Sequence, residues 1–291
     1  MPTEFIEELK DSISSTIPTS ASVVGEVIKT IYDESSSAVD LSAIIERDPP
    51  LTAYIIKIAN SAYYGATTQI TSIRRAVIIL GFDPIKELVT TVTTVRYLFS
   101  SKNPTKVDRG GLWLHSAGVG KAAQLISQKL NIERPNIVYT VGLLHDIGKI
   151  LLALMFPSHY SRVVEYAKEM KCPIILAEQK VLNTDHCMIG EMLCDIWRLP
   201  EEITSTVFYH HDPTVNPEGD TLLTRLVNLG DYMCRKAEIG NPGDSMVIES
   251  SPEVLKTLGS TPEKSKENFD AIYNEFLTMR EKIEGFYSGL K

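Results

Sequence analysis

The sequence has few cysteines, and their placement excludes several kinds of site. Only four occur in 291 residues, at Cys172, Cys187, Cys194 and Cys234, and no two of them form a CxxC pair. Neither a zinc knuckle nor a dithiol redox motif is therefore indicated. Because the thiols are scattered, we expect them to be unpaired in a reducing, cytoplasmic setting and to bind no metal.

Positive charge and long apolar runs are also scarce. The chain has 29 Lys and Arg against 37 Asp and Glu, and its pI is about 5.4. Nucleic-acid binding needs a clustered basic surface, so we expect no nucleic-acid partner. The run Ile150–Phe156 is far shorter than the ~20 residues of a membrane span. The opening MPTEFIEELKDS is acidic and has no apolar signal core, so we expect neither a membrane anchor nor a signal peptide.

The dominant pattern that is present is helical. Apolar residues recur at spacings of three and four through most of the chain, which predicts an all-α fold with no sheet of three or more strands. Capping residues predict one helix from Pro50 to Gly65 and another between Ser72 and Gly81. The Thr/Val-rich run at 89–95 is the weakest point of this prediction, because β-branched residues favour strands.

One apolar stretch contains charged groups that burial alone would not favour. Tyr139–Phe156 is predicted to be a single buried helix, yet it contains His145, Asp146 and Lys149. Burying these groups costs several kcal/mol unless something pairs them, and a bound cation is a common solution. Lys149 lies one helical turn further on and would hold an anion beside the metal. The alternative is a helix-end lysine whose ammonium reaches water.

Further metal-binding residue types lie on the apolar stripes of later helices. Taken singly, each is more typical of a core histidine with hydrogen-bond partners. Together they are hard to satisfy without cations, and nitrogen and oxygen donors suit iron or manganese, with zinc and nickel as alternatives. Seven donors are too many for one tetrahedral site, so we predict two divalent metals bridged by Asp146. The predicted ligands are His115, His145, Asp146, His186, His210, His211 and Asp231, and of the six histidines only His159 lies outside the pattern.

Several motifs resemble the HD superfamily of metal-dependent phosphohydrolases. The signature of that superfamily matches HDIGK at 145–149, and the HDOD branch resembles this chain in ERDPPLTAYIIKIANSAYYG, TSIRRAVIILG and LWLHSAGVGKAA. The resemblance covers roughly residues 15–236. It implies a bacterial signal-transduction context and an N-terminal helical subdomain packed on an HD-type helical subdomain. With a polar joint at 100–111, we predict boundaries of 1–105, 106–238 and a helical extension at 239–291, which we expect to serve packing or interaction and not chemistry.

The related HD-GYP phosphodiesterases imply roles for the individual residues. By that resemblance, Lys149 contacts phosphate. The sequence departs from those enzymes after His211, where DPTVNPEGD contains no GYP segment, and at Gly111, which replaces a glutamate used for a third metal. We therefore expect weak or absent hydrolysis of cyclic di-GMP. The implied ligands are His115, His145, Asp146 and Asp231 for one metal, and Asp146, His186, His210 and His211 for the other.

Two main functions follow from these observations. The first is a signalling module that binds a phosphate-containing small ligand or a signalling protein without turnover. The second is a phosphohydrolase acting on a nucleotide or cyclic dinucleotide, with Asp146 and Lys149 as its catalytic residues. A third interpretation is a scaffold with an empty site. An open position at the metals would favour hydrolysis, and a side chain filling that position would favour binding.

Overall fold

The fold is all-α, as the sequence predicted. The computed structural model describes residues 19–61, 63–99, 107–132, 135–215 and 221–290, and every regular element within these ranges is a helix. Short 3-10 turns lie at Pro213–Val215 and Lys256–Leu258. The α-helices are α1 Thr19–Tyr32, α2 Ala38–Ile45, α3 Pro49–Ala59, α4 Ile73–Leu80, α5 Phe82–Phe99, α6 Arg109–Lys129, α7 Pro135–Leu144, α8 Ile147–Met155, α9 Pro157–Met170, α10 Ile174–Leu182, α11 His186–Ile196, α12 Glu201–Tyr209, α13 Thr221–Lys236, α14 Pro252–Leu255 and α15 Pro262–Leu290.

The predicted end of α3 at Gly65 was wrong, because the helix is shorter. It ends at Ala59 and not at Gly65, because the Asn60 side chain binds backbone groups across the turn. Asn60 Nδ2 donates to the carbonyls of Ile56 and Ile70, both at 2.8 Å, and its Oδ1 accepts from the Ile70 amide. The next helix begins and ends as predicted, with Ser72 as N-cap and Gly81, at φ 94°, as C-cap.

The Thr/Val-rich run at 89–95 is helical and lies within α5. Three of its threonine hydroxyls donate to carbonyls of the same helix, and the Thr91 hydroxyl pairs with the Tyr139 hydroxyl at 2.7 Å. Thr90 donates to the Lys86 carbonyl at 2.9 Å and Thr94 donates to the Thr90 carbonyl at 2.8 Å. The apolar side chains of Val89 and Val92 are fully buried. Tertiary burial therefore outweighs the modest strand preference of these residues.

The prediction of one helix over Tyr139–Phe156 was wrong. The chain forms α7 and α8, and a turn at His145 and Asp146 separates them. The window Ile137–Met155 has the length and mean hydropathy, 1.6, of a membrane span, but it is buried inside the protein throughout. The break matters for the candidate site. At the turn, the side chains of His145 and Asp146 take directions that a continuous helix would not allow.

The central helix of the packing is α6. It contacts α7 and α13 extensively, and α15 lies along it. On the other side of the turn, α8 packs on α11, and Gly148 permits a very close approach, since a Cβ there would lie 2.0 Å from the His186 carbonyl oxygen. This contact sets α11 directly beside the α7–α8 turn.

The C-terminal part contributes core residues, among them Phe269, Ile272 and Phe276. Ser251 and Thr261 cap the helices that follow them. Helix α15 runs to Leu290. Residues 100–106 of the predicted joint lie outside the described residues. The three-part division at 1–105, 106–238 and 239–291 stays a prediction.

Candidate metal centre

The turn between α7 and α8 places Asp146 at the middle of a buried polar cluster. All seven predicted donors meet in this cluster, and six of them are buried while His211 is half-buried. The cluster takes His115 from α6, His145 and Asp146 from the turn, His186 from the first residue of α11, His210 and His211 from the end of α12, and Asp231 from α13.

The two carboxylate oxygens of Asp146 face different histidines. Oδ2 lies 3.2 Å from His145 Nε2 and 4.0 Å from His115 Nε2. Oδ1 lies 3.4 Å from His186 Nε2 and 3.6 Å from His210 Nε2. Asp146 therefore stands between two groups of nitrogen donors, and these groups divide in the way that the family resemblance implied.

Hydrogen bonds at Nδ1 orient three of the imidazoles. His145 Nδ1 donates to the Gly142 carbonyl at 2.7 Å, and His210 Nδ1 donates to the Val207 carbonyl at 2.8 Å. His186 Nδ1 lies 2.5 Å from Glu178 Oε2. A proton held on Nδ1 leaves the lone pair on Nε2, and Nε2 is the atom that faces Asp146 in each case. This arrangement is typical of metal-binding histidines.

Each group gains one further donor. His115 Nε2 lies 2.9 Å from Asp231 Oδ1, and His211 Nε2 lies 3.0 Å from His186 Nε2. Two nitrogens bound at right angles to one cation at ~2.1 Å would lie ~3.0 Å apart. The nitrogens of His186 and His211 therefore have the spacing of neighbouring ligands.

The ionisation of these groups suits cation binding. Burial lowers the pKa of His115, His186, His210 and His211, which keeps the imidazoles neutral. Burial alone would raise the pKa of Asp146, but His145 and Lys149 outweigh it and hold that pKa well below its usual range. Neutral imidazoles and an ionised carboxylate are the forms that bind metals.

Four atoms of the cluster make no hydrogen bond of suitable geometry in the described part of the chain. Two of them, Asp146 Oδ1 and His210 Nε2, are buried and face each other. The other two are the ring nitrogens of His115, which are likewise buried. Leaving such atoms unpaired in a protein interior costs about 1–3 kcal/mol each. A cation between Asp146 Oδ1 and His210 Nε2 would remove that cost for these two atoms, so the residues present fit divalent metals.

Lys149 is fully buried, so the alternative of a lysine reaching water was wrong. Its Nζ donates to Asp146 Oδ2 at 2.8 Å, and the side chain has no exposed surface. The ammonium thus offsets the charge of Asp146 on the side of His145. Whether it also contacts an anion stays a prediction.

Glu178 was missed by the sequence analysis. It lies on α10 and accepts from the His186 amide at 2.9 Å and from the Tyr160 hydroxyl at 2.9 Å, besides its contact with His186 Nδ1. Burial raises the pKa of Glu178 to about 8, whereas the donated hydrogen bonds favour its ionised form. The signal was present, because Glu178 shares an apolar stripe with Ile174, Ala177 and Leu182.

Arg235 was also missed by the sequence analysis. It binds the carboxylate of Asp231, which also contacts His115. Its Nε lies 2.9 and 3.0 Å from the two Asp231 oxygens, and its Nη1 donates to Asp244 at 2.9 Å. Asp244 in turn accepts from the amide of Ile174, where α10 begins. These contacts join the loop after α13 to Asp231 and to the helix that carries Glu178.

All four cysteines are free thiols. Cys187, however, lies among the donors of the second group, where one donor atom each from Cys187, His186, His210 and His211 lies within 4.8 Å of the others. Burial raises the pKa of the Cys187 thiol well above its ordinary value, which favours the protonated form. The expectation that it binds no metal stays a prediction.

A cavity of about 650 Å³ reaches the cluster from one side. His211 and Asp231 line its inner end. The outer wall includes residues 248–254 and Lys256, which the sequence analysis assigned to packing or interaction alone. This segment therefore borders the approach to the candidate metal centre, and its assignment to packing or interaction stays a prediction.

Comparisons with known proteins agree with this arrangement of helices. An uncharacterized protein of Treponema pallidum is 26% identical over 218 residues, which is 74% of this chain but 41% of that protein. The chain therefore spans about two fifths of the length of that relative. An HDOD domain protein of unknown function from Geobacter sulfurreducens has a TM-score of 0.78 and 28% identity, with 98% of this chain and 97% of that chain covered.

Two further solved structures share the fold at lower identity. A candidate signal transduction protein of Marinobacter aquaeolei has a TM-score of 0.77 at 21% identity, covering 99% of this chain and 65% of its own. A candidate phosphohydrolase of Shewanella amazonensis has a TM-score of 0.68 at 18% identity, covering 92% and 93%. The family model of the HDOD domain matches residues 17–213, more than half of the sequence. The chain belongs to the HDOD family.

Proposed function

We propose that this HDOD protein is a bacterial, cytoplasmic signal-transduction module that holds two divalent cations and binds a phosphate-containing small ligand. The observation that carries the proposal is the position of Asp146, whose two oxygens face two separate groups of imidazole nitrogens. One cation would be held by His115, His145, Asp146 and Asp231. The other would be held by Asp146, His186, His210 and His211.

The donor set limits the choice of metal. It consists of imidazole nitrogens and carboxylate oxygens, which suit iron and manganese, with zinc and nickel as alternatives. Bound divalent cations would supply positive charge to the oxygens of a phosphate group. The protein supplies the rest: Glu178 fixes the tautomer of His186, and Arg235 fixes the orientation of Asp231.

Lys149 has a defined place in this proposal. One of its three N–H donors is used on Asp146 Oδ2, and its burial leaves the ammonium in a medium where charge interactions are strong. A second N–H group would donate to a phosphate oxygen beside the cations. Lys149 would then bind the ligand and also offset the charge of Asp146.

Binding without turnover is favoured by the limited access to the centre. The side chains of His115, His145, Asp146 and His186 are at most 1% exposed, and the cavity of about 650 Å³ reaches only His211 and Asp231 among the predicted ligands in the described residues. A ligand would therefore approach the cluster from one side. A signalling protein that displaces or recognises the ligand is the second kind of partner that this arrangement suits.

A metal-dependent phosphohydrolase acting on a nucleotide or cyclic dinucleotide is the second candidate. The cavity favours it, because a substrate could enter to His211, and Asp146 and Lys149 would be the catalytic residues. The segment after His211 has no GYP sequence, so we expect weak or absent hydrolysis of cyclic di-GMP.

Titration calorimetry with inorganic phosphate tests the proposal. We expect manganese-loaded protein to bind phosphate, chelator-treated protein to bind none, and Lys149→Gln to bind about tenfold more weakly because a charged hydrogen bond is lost. The matched control is Lys180→Gln, which changes an exposed lysine on α10. Equal phosphate binding with and without metal would contradict the proposal. Rapid manganese-dependent cleavage of bis(4-nitrophenyl) phosphate would favour the phosphohydrolase instead.

A further inference from the structure

The cavity beside the metal centre has an outer wall that lies beyond the matched HDOD region. His211 and Asp231 form its inner end, and Ile248, Ser250 and Glu253 belong to the outer wall. The family model ends at residue 213, so most of this wall lies outside the part of the chain that the HDOD model matches. Its chemistry therefore bears on which ligand this particular protein accepts.

The outer part of the cavity is acidic. Asp212, Glu249 and Glu253 all line it, against a single lysine, Lys256. Lys256 is already paired with Glu253 at 2.7 Å, and Arg225 lies 3.7 Å from the same carboxylate. Asp212 and Glu249 have no lysine or arginine partner in the described ranges. The entrance thus carries uncompensated negative charge, in contrast to the cationic centre that we propose at the inner end.

Two polar groups of the wall also need partners. Ser250 is 6% exposed, and its hydroxyl has no hydrogen-bond partner among the described residues. The Asn228 side chain donates through Nδ2 to the His210 carbonyl at 2.8 Å, but its buried Oδ1 accepts from no described residue. A buried acceptor without a hydrogen bond is unfavourable, and a donor on a bound ligand would remove that cost.

These features complement one kind of molecule. We infer that the cavity binds a small phosphoester whose organic part is cationic and rich in hydrogen-bond donors, as in an aminoalkyl phosphate. The phosphate lies at the inner end near His211, and the ammonium lies between Asp212 and Glu249. The inference rests on the proposed function, because the inner end attracts phosphate only when cations are bound there.

The same features disfavour other phosphate compounds. A second phosphate or a carboxylate on the organic part would lie against Asp212 and Glu249, where like charges repel. The volume of about 650 Å³ lies in the range of pockets that enclose small molecules. Nucleoside polyphosphates therefore carry the wrong charge for this entrance, although they would fit by size.

Calorimetry on the manganese-loaded chain tests the inference with three probes. These are inorganic phosphate, O-phosphoethanolamine and 3-phosphoglycerate, which share a phosphate but differ in the charge of the organic part. At low salt we expect phosphoethanolamine to bind about threefold more tightly than phosphate, and phosphoglycerate to bind more weakly than phosphate. Glu249→Gln should reduce the preference for phosphoethanolamine without changing the affinity for inorganic phosphate. Glu281→Gln, an exposed acid on α15, is the control and should keep the preference.

The possible failures are distinguishable. Equal affinity for the three probes, or a preference for phosphoglycerate, would overturn the inference while leaving the proposed function intact. The same holds if Glu249→Gln and Glu281→Gln behave alike. If protein that retains its metal does not bind inorganic phosphate, the proposed function and the inference are both overturned.

Discussion

Glu178 is the residue that most clearly separates the two halves of the proposed metal centre. It contacts His186 through Oε2 at two points but contacts none of the donors on the His145 side. Glu178→Gln preserves the shape of the side chain but removes the carboxylate that stabilises the proton on His186 Nδ1. We expect the affinity for one of two cations to fall by roughly 10–100-fold, because hydrogen-bond partners of metal ligands typically contribute that much.

Metal titration with detection of bound manganese measures this effect. The result expected for Glu178→Gln is one tight and one weak site, where the unchanged protein has two tight sites. Glu169→Gln, an exposed acid on α9, provides the control and should leave both sites unchanged. Loss of both sites together in Glu178→Gln would show that the two halves are not independent in the way described.

Individual residues also show what the sequence could and could not predict. The seven donors were predicted because His115, His186 and Asp231 interrupt apolar stripes. A polar residue on such a stripe can be recognised from the sequence alone. Glu178 obeys the same rule but was overlooked as an ordinary helix glutamate. Arg235 was overlooked although it lies four residues after Asp231 on the same helix, a spacing that favours an ion pair. Its second partner, Asp244, lies in a loop with no periodic pattern and was not predictable from spacing.

At the scale of elements, the contact between α8 and α11 is the most constrained. A Cβ on Gly148 would lie 2.0 Å from the His186 carbonyl oxygen and 2.9 Å from the Gly190 amide nitrogen. Backbone atoms cannot rotate away as side chains do, so Gly148→Ala must push the two helices apart. We expect a loss of about 1–3 kcal/mol in the free energy of unfolding, as for overpacking elsewhere.

Urea unfolding and metal analysis together test that expectation. The displacement should also move His186, so Gly148→Ala should bind less metal than the unchanged protein. Gly285→Ala is the matched control, because nothing lies within 4 Å of a Cβ at that helical position. It should be stabilising by up to about 1 kcal/mol. Similar behaviour of the two variants would contradict the close approach of α8 and α11.

The elements also show where helix prediction from periodicity fails. The capping residue Ser72 located the start of α4 correctly, because its hydrogen bond to the Arg75 amide is local. The break at His145 was missed, since the apolar pattern of Tyr139–Phe156 continues through it without a proline or a capping motif. The early end of α3 was missed because Asn60 binds Ile70, ten residues away.

At the scale of the whole molecule, the candidate metal centre brings together five parts of the chain. The proposed ligands come from α6, the α7–α8 turn, α11, the end of α12 and α13. Cations that bind only the folded state stabilise it by mass action, by about 2.7 kcal/mol at a free concentration one hundred times the Kd. We expect a chelator to lower the melting temperature by roughly 5 °C in a protein of this size.

Differential scanning calorimetry with and without chelator measures the shift. Restoring manganese should restore the melting temperature, and magnesium should do so less well because it prefers oxygen ligands. A melting temperature that is insensitive to chelator, in protein shown to contain metal, would contradict the structural role of the cations.

The whole-molecule arrangement was predictable only in part. An all-α fold and the clustering of histidines followed from helical periodicity and from the resemblance to HDOD proteins. The outer wall of the cavity did not, because Ile248, Glu249 and Ser250 lie in an irregular segment, and the cap at Ser251 predicts where α14 begins but not what it packs against. Its position depends on tertiary contacts that spacing along the chain does not encode.

Metal content per chain in Asp146→Ala is the most direct test of the central claim. Asp146 is the only proposed ligand that faces both groups of histidines, so its loss removes a donor from both cations. We expect about two cations per chain in the unchanged protein, about one in His145→Ala and close to none in Asp146→Ala. His159→Ala, which changes an exposed histidine outside the cluster, should keep both. Full metal occupancy in Asp146→Ala, or equal losses in His159→Ala and His145→Ala, would contradict the account.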